Sequence, residues 1–295
     1  MYALKYLYVK EGQIGMLLKK IILISVIIFV MIPSSSLGLD SCEGDEYDYS
    51  DFDRSLIPVG EKLTYNAYIL GQFLPIGKAE LSIRTLENDG RLYYLFSGDV
   101  TGGYLIFSVR MQLRSYIDYE TLRPMLFTQK QEGFETKERK LIFDWQKKTI
   151  TYFKKDFLNN SFKKRSSVFI LPHTRDILTT LYFARSITPV INAQKTMNMI
   201  EKREVWTVTI EVIGKEKLSL QSGEYDALRI KIVPLKTSDN KIFRGLFGIE
   251  GEIILWVTED KRIPLLIEGT YVMGFIPLHV KIVLQNADVS SYIKE

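Results

Sequence analysis

Pro172-His-Thr-Arg-Asp-Ile-Leu-Thr-Thr-Leu-Tyr-Phe-Ala-Arg-Ser186 is the stretch that breaks an otherwise two-residue rhythm. Ile177, Leu178, Leu181, Tyr182 and Arg185 fall at i, i+1, i+4, i+5 and i+8, the spacing of one helical face. Thr174 reads as the N-cap and Asp176 as a capping-type carboxylate in the first turn, facing the positive end of the helix dipole. Arg185 suits the negative end, and Pro189 marks the stop. The spacing predicts one short helix over about 174–186.

Outward from that stretch, apolar residues alternate with polar ones. Leu63, Tyr65, Ala67 and Ile69 oppose Lys62, Thr64 and Asn66. Ala79, Leu81 and Ile83 behave alike, as do Val109, Met111, Leu113 and Ile117. After the helix, Trp206, Val208, Ile210 and Val212 face one way, and Leu228, Ile230 and Ile232 alternate with Arg229 and Lys231. Further strands fit Leu92–Val100, Thr128–Gly133, Lys137–Asp144, Thr149–Lys155, Leu265–Met273 and Leu278–Asn286, while Glu252–Thr258 is almost continuously apolar. Turn signals stand at Asn88-Asp-Gly90, Ser222-Gly223 and Asp239-Asn240, and Gly102-Gly103 reads as a bulge or turn. The pattern predicts a mainly β protein: a curled antiparallel sheet or incomplete β-barrel, one face wet and one dry. A short helix is marginal in water, so Ile177, Leu178, Leu181 and Tyr182 are expected to dock on the concave face.

The chain has 295 residues, 46% hydrophobic and 25% charged, which excludes a disordered or collagen-like protein. One cysteine, Cys42, excludes an intrachain disulfide, and with His173 and His279 it makes too few soft ligands for a structural zinc site. Lys19 and Lys20 precede Ile21 to Ile32, an apolar run whose one polar member is Ser25, and small residues follow at Ser36 and Gly38. This is the order of a secretory signal, with an uncleaved anchor as the other reading. Met16 offers an alternative start, and Leu39-Asp-Ser-Cys42 leaves open a lipidated or a free thiol. The expected organisation is a signal over 1–38, an acidic flexible leader over 39–56, one β-rich domain over 57–286 and a tail over 287–295. Without residues 1–38 the chain carries 35 basic and 34 acidic residues, so charge does not call for nucleic acid.

Ile117-Asp-Tyr-Glu-Thr-Leu-Arg-Pro124 and Val257-Thr-Glu-Asp-Lys-Arg-Ile-Pro264 share one plan, a strand, an acidic turn and a proline opening the next strand. They are either two examples of a common hairpin or marks of two related half-sheets. Together with Val59-Gly-Glu-Lys-Leu-Thr-Tyr65, Ile76-Gly-Lys-Ala79, Leu171-Pro172, Asp176 to Arg185, Gly223-Glu-Tyr-Asp-Ala227 and Leu255 to Asp260, their order resembles the bacterial exported proteins of domain-of-unknown-function family 3108, over roughly residues 57–285. The resemblance implies an exported, β-rich envelope protein and carries no catalytic residues onto this chain. Residues 157–165, polar and basic, depart from it and read as a lengthened loop. The architecture is also similar to periplasmic lipoprotein carriers, whose incomplete barrel holds acyl chains against a helix; fold alone does not fix function.

No residue set stands out for catalysis. His173 reads as a solvated loop residue and His279 as a wet-face residue, so no enzyme, cofactor or metal is expected. The surplus is aromatic, 17 Tyr and 16 Phe, read either as core packing or as the lining of an apolar cavity. Tyr65, Phe107, Leu181, Tyr182, Trp206 and Trp256 are the candidate lining residues. The leading expectation is an exported, periplasmic or outer-envelope, non-enzymatic protein that binds a lipid-like ligand in the curled sheet, with peripheral membrane contact as a further possibility. The alternative is a structural or assembly factor that pairs with envelope proteins.

Overall fold

The computed structural model describes residues 57–70, 74–104, 107–133, 135–236, 249–273 and 276–289, with Arg54, Phe243 and Gly245. The signal, the start at Met16, Cys42 and the turn at Asp239-Asn240 lie outside the described residues. The chain divides into Tyr47–Tyr271 with Leu278–Glu295, which carries the fold, and Met1–Glu46 with Val272–Pro277, of which only strand ends are described.

Among the described residues fifteen strands form one sheet. In the first half these are β1 (Lys62–Ile69), β2 (Leu74–Asn88), β3 (Arg91–Tyr104), β4 (Phe107–Asp118), β5 (Pro124–Gly133), β6 (Lys137–Asp144), β7 (Thr149–Asp156) and β8 (Ser161–Phe169). Then come β9 (Thr174–Arg175), the helix α1 (Ile177–Ala184), β10 (Gln194–Glu201), β11 (Glu204–Leu220), β12 (Gly223–Leu235), β13 (Ile249–Thr258), β14 (Pro264–Met273) and β15 (Ile276–Asp288). The lateral order is β8-β7-β6-β5-β4-β3-β2-β1-β15-β14-β13-β12-β11-β10-β9. All of the registered pairs are antiparallel except β9 with β10, which is parallel over two residues.

The order contains the same six-strand meander twice, β1 to β6 and β10 to β15, joined where β1 pairs with β15. The two proline hairpins hold equivalent places, β4–β5 and β13–β14. Their backbones agree in detail. Asp118 N donates to Arg123 O and Thr258 N to Ile263 O; Leu122 N donates to Asp118 O and Arg262 N to Thr258 O. Leu122 and Arg262 both take positive φ, 58° and 56°. The reading as two related half-sheets is therefore the one the structure supports.

At the second junction the described strands β6 and β10 do not pair as neighbours in the sheet. In a flat sheet these strands, eleven places apart, would lie roughly 53 Å from each other at about 4.8 Å per strand. Yet Arg139 on β6 pairs with Glu201 on β10 at 2.9 Å, so the sheet is curled almost to closure without becoming a barrel. Arg139 Nε also donates to Gln129 Oε1 on β5 at 2.7 Å. Strands β7, β8, β9 and α1 are inserted between the two meanders. Of residues 157–165, expected as a lengthened loop, 157–160 form a turn and 161–165 begin the edge strand β8, where the run Lys163-Lys-Arg165 shows no apolar alternation to mark a strand.

Helix α1 lies inside the curl, packed against β3, β4 and β10, with all eight residues buried. Its start differs from expectation. Asp176, not Thr174, is the N-cap, accepting from Leu178 N and Thr179 N, because Thr174 and Arg175 are drawn into β9 beside Asn198 and Met199. Gly98 on β3 admits the helix: a Cβ there would stand 3.3 Å from Leu178 Cδ2 and 3.6 Å from Leu113 Cβ. Gly102-Gly103 forms no bulge; it lies within the regular β3–β4 register, and a Cβ on Gly102 would meet Ile76 O at 2.9 Å. Strand β10 had no clear sequence signal, since Met197 and Met199 carry its dry face.

Leu178 is 0% exposed. Leu178→Ala is expected to cost about 2–5 kcal/mol in urea unfolding, through lost burial and a residual cavity. A cost under about 1 kcal/mol would mean that the helix does not hold the core.

Candidate functional site

The concave interior around α1 gathers most of the residues singled out by sequence. The helix start is fixed by Asp176, whose carboxylate also accepts from Ser115 Oγ on β4 at 2.5 Å. Burial pushes the Asp176 carboxyl above the ordinary range; the bonds from Ser115, Thr179 and Leu178 pull in the opposite direction. The helix end is fixed by Arg185. Its Nη1 and Nη2 donate to the two Glu61 oxygens at 2.6 and 2.8 Å, and its Nε donates to Arg262 O at 2.7 Å. The Glu61 and Arg185 side chains are 0% and 6% exposed. Expected only to balance the helix dipole, Arg185 instead reaches into a buried pair, and sequence gave no sign of Glu61 as its partner.

Tyr65 lies below this clamp and donates its hydroxyl to Pro264 O at 3.1 Å; burial raises its phenol well above the usual range. Tyr182 packs on Phe96 with ring centroids 4.7 Å apart, under the Arg185 guanidinium at 5.0 Å. Trp206 meets Phe243 edge to face at 5.3 Å. Leu181 borders a small apolar cavity with Ile177, Met199, Ile232, Phe243 and Ile267. The side chain of Phe107 lies outside the described residues.

Trp256 is placed apart from the others. Leu255 and Val257 point inward beside Ile230 and Leu228, so Trp256 points to the outer face. There its indole N–H bonds Glu216, and Arg229 lies over its ring at 5.3 Å. Strand β12 pairs with β13 only over Ala227–Ile232, and the free tip of the β11–β12 hairpin folds across the outer face. That cover explains the apolar run at the end of β13: over Leu255–Thr258 both faces are buried.

The interior cavity measures about 40 Å³. Ligand pockets run to roughly 300–1,000 Å³, so this cavity is too small for an acyl chain. A larger recess of about 300 Å³ opens on the outer face under the hairpin tip, lined by Tyr68, Ser219, Leu220, Gln221, Val283 and Gln285. Among the described residues no three His, Cys, Asp or Glu stand close enough to hold a metal, and no helix is long and apolar enough to cross a membrane. His279 is exposed and 3.4 Å from Glu268; His173 sits in a turn at φ 53°.

The model of a family described as protein of unknown function, DUF3108, matches residues 64–281. The chain belongs to this family. No curated protein matches the sequence. Among solved structures, a candidate exported protein with a YmcC-like fold from Bacteroides fragilis aligns at 8% identity and a TM-score of 0.28, over 78% of this chain and 96% of that one. In this DUF3108 member the matched span runs from β1 into β15, so it contains both meanders, the insertion and the helix.

Two stability measurements check the interior. Because the folded state raises the Asp176 carboxyl, that group stabilises the fold fully below its unfolded value and loses this contribution as pH rises through the folded value. Asp176→Asn keeps a capping oxygen, so its stability relative to the parent should improve from about pH 4 to pH 7 in urea titrations. A relative decline would contradict the assignment. Arg185→Met should cost about 3–5 kcal/mol, because it strands a buried Glu61 carboxylate, and Glu61→Leu in the same chain should recover most of it.

Proposed function

We propose that this is a non-enzymatic, exported envelope protein that acts through its surface, as a structural or assembly factor pairing with other envelope proteins. The observation that carries this reading is the filled concave face: α1 occupies the space in which an acyl chain would lie, tied at both ends by Asp176 and Arg185. Export rests on the basic, apolar and small-residue order of residues 19–38. The pairing surface is the β8 edge of the sheet. Strand β8 is nine residues long and, among the described residues, has β7 as its one neighbour, which leaves a row of backbone donors and acceptors for a partner strand. Phe169, 64% exposed, ends that strand.

A second reading rests on the outer recess. Tyr68, Leu220 and Val283 supply apolar walls, and Gln221, Gln285 and Ser219 supply polar ones, a combination suited to a small amphipathic ligand.

Photo-crosslinking in the producing cells separates the two. A photoreactive residue in place of Phe169 is expected to trap a protein, with no such adduct from the same residue at Asp89 in the β2–β3 turn. A photoreactive residue at Gln221 that traps a small molecule, with nothing at position 169, would instead select the recess. Nothing trapped at either position would sink both readings.

A further inference from the structure

We propose that the tip of the β7–β8 hairpin seats on an anionic lipid bilayer, with Phe157 and Leu158 entering the interface and the flanking lysines meeting the headgroups. Leu158 is 97% exposed and Phe157 49%. Two adjacent apolar side chains held in water on a fixed turn are unusual, and this turn is fixed. Asp156 accepts from Leu158 N at 3.1 Å and from Asn159 Nδ2 at 2.9 Å, and pairs with Lys163 at 2.5 Å. These partners, Lys163 first, hold its carboxyl down to about 2, so the turn keeps its anion across physiological pH. Asn160 closes the turn at φ 46°.

The strands behind the tip are strongly basic. Residues 137–165 hold ten Lys or Arg against three Asp or Glu, eight of the ten on β6, β7 and β8 themselves, while the whole chain is only +4. Lys154, Lys155, Lys163 and Lys164 lie within six residues of Leu158. On the outer face aromatic rings interleave with these cations: Lys140 lies 4.5 Å from the Phe162 ring centre and 5.3 Å from that of Phe153, and Lys155 lies 5.7 Å from that of Phe157. Of the acids facing them, Glu138 is paired with Lys155 and Asp156 with Lys163. The positive field is therefore left with an apolar point at its centre.

That combination selects a bilayer over a soluble polyanion or an acidic protein. A polyanion would use the lysines but gain nothing from Leu158. At a bilayer the apolar tip enters the acyl boundary, the aromatic ring sits at headgroup level, and long lysine stems extend to the phosphates. Strand direction agrees: the turns at this end of the sheet carry exposed Leu70 and Leu235, and Tyr271 lies near the end of β14 on the same side. The other end also exposes apolar residues, Leu92, Phe169 and Leu171, but among the acidic turns of Asp89, Glu120, Glu259 and Asp260.

The test uses the protein as the producing cell exports it, with vesicles of phosphatidylcholine alone or mixed with phosphatidylglycerol, read by co-sedimentation. Binding to the anionic vesicles is expected, falling at least about tenfold in Phe157→Ser/Leu158→Ser. Lys154→Gln and Lys164→Gln should each weaken it about fivefold, roughly the effect of one surface charge. All of these positions are exposed, so the variants should melt with the parent; if the serine pair does not, the lysine variants and quenching of a fluorophore on Leu158→Cys by bromine-labelled acyl chains read the same contact. No binding to anionic vesicles, or equal binding by parent and serine pair, would overturn the proposal; the latter would assign membrane contact to another segment. Either result leaves trapping at Phe169 to be judged separately.

Discussion

Arg185 carries the constraint on which the rest of the structure depends. One guanidinium meets the Glu61 carboxylate at the head of the first meander and the Arg262 carbonyl in the proline hairpin of the second. It holds the two half-sheets at a fixed separation around α1. A buried ion pair contributes little net stability against a well-packed apolar pair, but breaking it is costly, so its main effect is to specify one arrangement. Asp176 does the same at the other end of the helix, using Ser115 of β4. Between these ties all eight helical residues are buried, and the apolar cavity beside them measures about 40 Å³.

The repeated meander accounts for the shape of the problem this helix solves. Two six-stranded units joined at β1–β15 could in principle join again at β6–β10. The chain instead extends from β6 into β7 and β8 and covers the inside with α1, leaving Arg139 and Glu201 to span the seam through side chains. Closure by side chains leaves β8 at an edge of the described sheet, and that edge begins at the basic hairpin with its apolar tip. The surface readings thus follow from the same departure from a closed barrel that buries the helix.

Much of this was legible in the sequence where a single physical rule dominated. Leu63, Tyr65 and Leu81 alternate because one sheet face is dry, and Ile177, Leu178, Leu181 and Tyr182 keep helical spacing because the helix faces a core. The two proline hairpins were visible because proline tolerates few strand positions. What escaped needed tertiary knowledge. Thr174 and Arg175 leave the helix for a two-residue parallel pairing that no periodicity announces. Strand β8 carries Lys163, Lys164 and Arg165 because an edge strand needs no buried face, so its composition reads as loop. Trp256 looked inward only until the folded-back β11–β12 tip showed that the outer face is also covered. Glu61 and Arg185 stand 124 residues apart, beyond any local pattern.

The central claim is that α1 is a permanent part of the core and not a removable occupant of a ligand space. Native-state amide hydrogen exchange tests it most directly. If the claim holds, the amides of Leu181, Tyr182 and Phe183 exchange only through global unfolding, with the same opening free energy as the central amides of β1 and β15. If those helix amides open several kcal/mol more easily than the sheet around them, α1 detaches while the sheet stays folded, and the account of a filled, fixed interior is wrong.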